Sequence, residues 1–335
     1  MKPLLLTVVA MALLAGPAAA QPITLRFSQF LGPAGFFQVD LVTPWARELE
    51  ARTGGRVAVE ILDCGTPQGK VTEQATNLRN GTVDIALGLR GAEGDRFPRS
   101  SLIELPFMIT DARRGSMVLW DMFSRGAFGP EYAGYKVLAL AVHNPGLIHT
   151  ADRPVINPAD VTGLRLRSPN ATVSAALEQL GAKPVLLQVN DVMPALAGGR
   201  IEGIVTNWGN PLPGFNDGVR YHADIRFYTS VFFILMNQDR YDSLPADIRQ
   251  TIDQMSGAVL SERFGELWNR WDAPVRAGAN APGHRIVVPD AAAMAAWREA
   301  LAPVTNGYVR SLAAGGFAGA QQVYDEMQEL LAAGR

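Results

Sequence analysis

Apolar and polar residues along this chain switch repeatedly between a period of two and a period near 3.6. Residues 23–27 alternate, with Ile23, Leu25 and Phe27 on one side, and predict a strand. Residues 37–52 carry Val39, Val42, Trp45, Ala46 and Leu49 at helical spacing. Thr53-Gly54-Gly55 supplies the stop, because glycine accepts the left-handed conformation at a helix C-terminus. Alternation returns over 56–61, 70–79 predicts a helix closed by Asn80-Gly81, and 83–87 reads as a short apolar strand. The same succession recurs as strand 164–166, helix 171–180, strand 184–187, helix 191–197 and strand 201–205. Asn80-Gly81-Thr82-Val83-Asp84-Ile85 and Gly198-Gly199-Arg200-Ile201-Glu202-Gly203 share one order: glycine turn, apolar residue, acid, strand. The expectation is an α/β chain built of two similar halves. One helical pattern then runs over 245–279, followed by a strand at 285–288 and helices at 291–308 and 320–332. These late helices are placed to buttress both halves and form a hinge.

Length supports the division, since 335 residues exceed one compact core. A formal net charge of −2, with no block of like charges, excludes the basic face that nucleic acid requires. The N-terminus reads as a separate segment. Lys2, an apolar run over 4–14 and Ala18-Ala19-Ala20 form a secretory signal peptide with cleavage after Ala20. That run is too short to span a bilayer. The lone Cys64 has no partner for an internal disulfide and is expected to be buried or half-buried. His143, His149, His222 and His284 lack metal-ligand spacing and are expected to be structural or surface residues. No nucleophile elbow, phosphate loop or dinucleotide fingerprint is present, so no cofactor and no metal are expected.

The run Asn157-Pro158-Ala159-Asp160-Val161-Thr162-Gly163-Leu164-Arg165-Leu166-Arg167-Ser168-Pro169-Asn170 is the most specific in the chain. It resembles the solute-binding proteins of tripartite ATP-independent periplasmic (TRAP) transporters, the DctP family. Thr53-Gly54-Gly55-Arg56-Val57, Asn80-Gly81-Thr82-Val83-Asp84, Leu105-Pro106-Phe107 and Gly181-Ala182-Lys183-Pro184-Val185 extend the likeness over nearly the whole mature chain. The resemblance implies a two-lobed periplasmic binding protein fold that closes on an organic acid. Its expected divisions are lobe 1 at 21–142, lobe 2 at 143–235 and a helical hinge and buttress at 236–335.

The same resemblance implies that Arg167 clamps the ligand carboxylate, a planar fork matched to a planar anion. Arg167 also falls at the C-terminal end of a predicted strand, where open α/β sheets bind ligands. Arg165, two residues earlier, is expected to be a solvated surface charge. Asn170 matches a family position that reaches the ligand, Thr206-Asn207-Trp208 a segment that lines the family's cleft, and Asn210 lies just beyond it; Phe30, Phe36 and Phe37 follow the first strand near the cleft mouth, and Leu89 and Arg90 follow the third. Where sugar-acid binders carry a second cleft arginine this chain has Leu147, and Leu89 replaces a polar position. Both departures point to a less polar monocarboxylate, aromatic or branched. The implied partners are a small organic acid and the TRAP membrane subunits, with the receptor a monomer and not an enzyme. Two other readings stay open at this point: a secreted α/β enzyme such as a hydrolase, and a ligand-presenting partner of a membrane sensor.

Overall fold

The computed structural model describes residues 21–334 apart from 210, 211 and 213. The expected signal peptide and Asn210 lie outside the described residues. Among those described, strands β1 (Ile23–Ser28), β2 (Val57–Leu62), β3 (Ile85–Leu89), β4 (Tyr135–Val142), β5 (Gly146–Thr150) and β6 (Arg165–Ser168) come first. β7 (Lys183–Leu186), β8 (Gly203–Thr206), β9 (Tyr221–Tyr228), β10 (Val231–Asn237) and β11 (Arg285–Val287) follow. They form two sheets, ordered β2-β1-β3-β10-β4 and β11-β9-β5-β8-β6-β7. In each, a parallel βα unit (β2-β1-β3 or β7-β6-β8) meets an antiparallel strand, β10 or β5. Helices cover both sheets. Trp45, Phe264 and Trp268 pack on one side of the first, Leu119, Met122 and Met327 on the other. Trp297 and Leu301 pack beneath the second, and Trp208 and Phe215 close its other face.

The chain crosses between the sheets at 143–145, joining β4 to β5, and at 229–230, joining β9 to β10. The Thr229 hydroxyl donates to the His143 carbonyl at 2.6 Å, so the two crossings are tied together. The Ala258–Gly278 helix packs on β4 of the first sheet and leads to β11 of the second, a third connection.

The structure departs from expectation in four places. The expected lobe boundary at 235 falls inside β10, which pairs with β3 and β4 of the first sheet, so the second sheet ends its first pass at Tyr228. The single helix expected over 245–279 is two, Ala246–Gln254 and Ala258–Gly278. Gly257 separates them at φ 75°, and its backbone N–H donates to Leu138. A Cβ there would sit 3.0 Å from Trp120. Cys64 is exposed, not buried. Strands β4, β5, β9 and β10 are additions: each is nearly or wholly buried, so the alternation that marks a half-exposed strand is missing.

Candidate functional site

Loops after β1 and β8 and the ends of β3 and β6 converge, with the two crossings, on one cavity. Its empty volume is about 470 Å³, counting the opening to solvent. Phe30, Leu31, Phe36 and Phe37 come from the segment after β1, and Leu89 from the end of β3. Arg167, Pro169, Val189 and Asn207 come from the second sheet's side, His143 and Ser230 from the crossings. Tyr228, Phe232 and Trp268 complete the lining.

The aromatic wall is continuous. Phe37 meets Phe30, Phe232 and Trp268 edge-on at 5.6, 5.5 and 5.7 Å between ring centroids. Phe36 leans on Trp271 at 3.9 Å. Phe37 opens a π-helical turn, Phe37–Val42, a wide local winding that recurs at functional sites. Gly146 makes room for Tyr228, since a Cβ at 146 would lie 1.8 Å from that ring.

Arg167 is 4% exposed. Strand β6 lies between β7 and β8, and both sides grip the guanidinium. Nε donates to the Leu187 carbonyl at 3.2 Å and Nη1 to the Val205 carbonyl at 2.9 Å. Nη2 has no partner among the described residues and is not sealed from the cavity. No carboxylate among the described residues pairs with it. Burial therefore lowers its pKa from the ordinary value, opposed only by the Tyr228 phenol. The group stays charged, because guanidinium does not deprotonate in proteins. A buried cation that lacks a counter-charge among the described residues attracts an anion. Arg165 on the same strand is exposed and pairs with Glu202 at 3.6 Å, the surface charge expected.

Asn207 is buried, and its Nδ2 donates to Asp272 Oδ1 at 2.9 Å. The Gly209 backbone N–H donates to the same oxygen at 2.5 Å. Asp272 sits on the Ala258–Gly278 helix, where burial pushes its carboxyl up to about 6 despite these bonds. That helix thus fixes the orientation of an amide that lines the cavity.

Of the residues singled out from sequence, Arg167, Asn207, Phe30 and Phe36 meet at the cavity, with Phe37 and Leu89. Four others are placed elsewhere. Asn170 caps the Ala171–Gln179 helix, its Oδ1 accepting from Val173 N at 2.9 Å, while Nδ2 donates to Ser230 at 3.4 Å. It stands behind a cavity hydroxyl rather than in the lining. The Thr206 carbonyl accepts from His149 Nε2 at 3.2 Å, and its side chain bonds the Tyr228 phenol, so it stands behind a lining residue. Trp208 is core, 4.9 Å from both His149 and His222 between ring centroids. Arg90 turns from the cavity toward Glu104, with Nη1 to Oε2 at 3.4 Å. Residues missed from sequence are Tyr228, Ser230, Phe232 and Trp268, and His143 was assigned to structure. Trp268 was hidden in helical periodicity, and the others belong to the unassigned crossings and their strands.

Two sheets joined by tied crossings, with a cavity where they meet, define the two-lobed fold of a solute receptor. The model of bacterial extracellular solute-binding protein family 7 (DctP) matches residues 27–311, and the chain belongs to that family, the receptors of TRAP transporters. It is 30% identical to a TRAP solute-binding protein of Rhodoferax ferrireducens T118, solved with copurified benzoate. That match covers 92% of this chain and 98% of the other, with a TM-score of 0.86. A marine-metagenome TRAP solute-binding protein specific for aromatic acid ligands, solved with 3-hydroxybenzoate, is 28% identical. There the coverage is 93% and 99% and the TM-score 0.87. The C4-dicarboxylate-binding protein DctP of Rhodobacter capsulatus is 24% identical over 86% of this chain and 87% of its own. Among the described residues no helix is long and apolar enough to cross a membrane.

Proposed function

We propose that this protein captures an aromatic monocarboxylate outside the cytoplasm and delivers it to the membrane subunits of a TRAP transporter. Arg167 carries the assignment: its guanidinium is 4% exposed, lacks an acid partner among the described residues, and faces a wall of aromatic rings. One ligand carboxylate supplies the counter-charge that Arg167 lacks among the described residues. The rest of the ligand meets Phe30, Phe36, Phe37, Phe232 and Trp268, where a second carboxylate or a row of hydroxyls loses hydration without repayment. The aromatic-acid ligands of two similar receptors support the same class. On this reading residues 1–20 are the export signal, the receptor acts as a monomer, and the acid is bound and released unchanged.

Calorimetry with benzoate, phenylacetate, succinate and glucuronate tests the proposal. The two aromatic acids are expected to bind in the micromolar range or tighter and to be recovered intact from the denatured protein. Binding confined to succinate or glucuronate, or recovery of a converted product, overturns it.

A further inference from the structure

We propose that the cavity takes a hydrogen-bond donor from its ligand at His143 Nε2, and so selects hydroxylated aromatic monocarboxylates over their deoxy counterparts. The inference deepens the proposed function and rests on it. His143 lies on the first crossing between the sheets, is 5% exposed and lines the cavity. Its Nδ1 is 2.5 Å from the Asn144 carbonyl oxygen. A carbonyl only accepts, so Nδ1 carries the proton. Burial, reinforced by the charge of Arg167, lowers the ring's pKa to about 4 against the pull of that carbonyl, so the imidazole is neutral at pH 7. Nε2 is then a lone pair. It has no hydrogen-bond partner among the described residues and is not sealed off by them. Tyr228 and Trp268 hold the ring edge-on at 5.3 and 5.7 Å, which fixes where the lone pair points.

The consequence is a polarity map of the ligand. Arg167 Nη2 offers donors and attracts the carboxylate. Nε2 repels a carboxylate and accepts from a hydroxyl. A deoxy ligand that displaces water from Nε2 leaves a buried acceptor unsatisfied, and that penalty is what discriminates.

The experiment measures dissociation constants for matched pairs, mandelate with phenylacetate and each monohydroxybenzoate with benzoate, on the wild type, His143→Leu and His143→Gln. Gln places a carbonyl oxygen near the position of Nε2. In the wild type at least one hydroxylated member is expected to bind about tenfold tighter than its deoxy partner. That ratio is expected to fall to near one in His143→Leu and to return in His143→Gln. Circular dichroism and ligand-free thermal melts report on folding of the variants. A wild type with no hydroxyl preference, or a preference that survives in His143→Leu, overturns the inference while leaving the aromatic-carboxylate reading in place. A wild type that binds none of these acids overturns that reading as well.

Discussion

Arg90 and Arg167 each lie at the C-terminal end of a parallel strand, β3 in one lobe and β6 in the other. Both are nearly sealed from solvent, at 7% and 4% exposure. Their surroundings differ in one respect. Arg90 donates to the Phe97 carbonyl and to Glu104, whose other oxygen accepts from the Val231 backbone N–H at 2.7 Å, where β10 begins. Burial alone would lower the Arg90 pKa, but Glu104 and weaker acidic neighbours outweigh it and hold it above the ordinary value. Arg167 has backbone carbonyls in place of an acid, and its pKa moves the opposite way. A buried guanidinium is structural when the chain supplies its counter-charge and functional when the chain withholds it.

The sharpest way to break this comparison is to remove each cation in turn. Arg90→Met strands the Glu104 carboxylate at 0% side-chain exposure. The expected cost is about 3–5 kcal/mol of unfolding free energy, read by urea denaturation. Arg90→Met with Glu104→Leu is expected to recover most of it, because the unpaired charge is gone. If the single variant is as stable as the wild type, Arg90 is not the structural member of the pair.

Arg167→Met should do the reverse. It removes an unpaired buried charge, so the ligand-free melting temperature is expected to hold or rise. Affinity for benzoate is expected to fall at least about 100-fold, near 2.7 kcal/mol, read by calorimetry. A variant that loses stability yet keeps affinity would exchange the roles assigned to the two arginines.

A third prediction follows from the protons. Two imidazoles are buried and neutral: burial lowers His143, in the cavity, to about 4 and His149, packed on Trp208 and His222, to about 3. An unfolded histidine binds its proton near pH 6.5, the folded ring much lower, so the unfolded chain holds more protons between those values. Their contribution is whole above about pH 6.5 and is lost as pH falls through the window toward 3–4. From pH 7 to pH 6 the pair is expected to cost about 1 kcal/mol. Asp272, raised to about 6, works in the opposite sense, since its carboxyl is relieved of a buried charge as pH falls, and offsets part of this. Thermal melts across pH 5–8 on the wild type and on His149→Gln check the slope, which should flatten in the variant.

How legible this was in the sequence depended on the element. Alternation and glycine stops marked β1, β2, β3 and their helices, because each strand has a mixed environment or a sharp end. β4 and β10 carry apolar runs such as Val137-Leu138-Ala139-Leu140-Ala141-Val142, buried on both faces, and a period of two has nothing to alternate against. Arg167 was legible through its family motif and strand-end position. Arg90 shared that position, but its partner lies 14 residues on in a short 3-10 turn, Ser100–Glu104, and no local pattern announces the pair. His143 and Ser230 line the site because the chain crosses between sheets there, a property of topology rather than of neighbouring residues.

The smallest expected effect is the most specific to the comparison. Arg167 contributes to the lowering of the His143 pKa through its charge, after burial and against the Asn144 carbonyl, whereas Arg90 does not figure among the causes. Removing Arg167 should therefore raise the His143 pKa, and removing Arg90 should leave it in place. NMR titration of the His143 ring in Arg167→Met and in the Arg90→Met, Glu104→Leu double variant separates the two. The bound anion should act in the same direction as Arg167→Met, since a carboxylate beside the guanidinium cancels its field. A His143 ring whose titration ignores both the Arg167 substitution and the ligand would mean that cation and imidazole do not share one site, and the two-ended recognition built on them would fail.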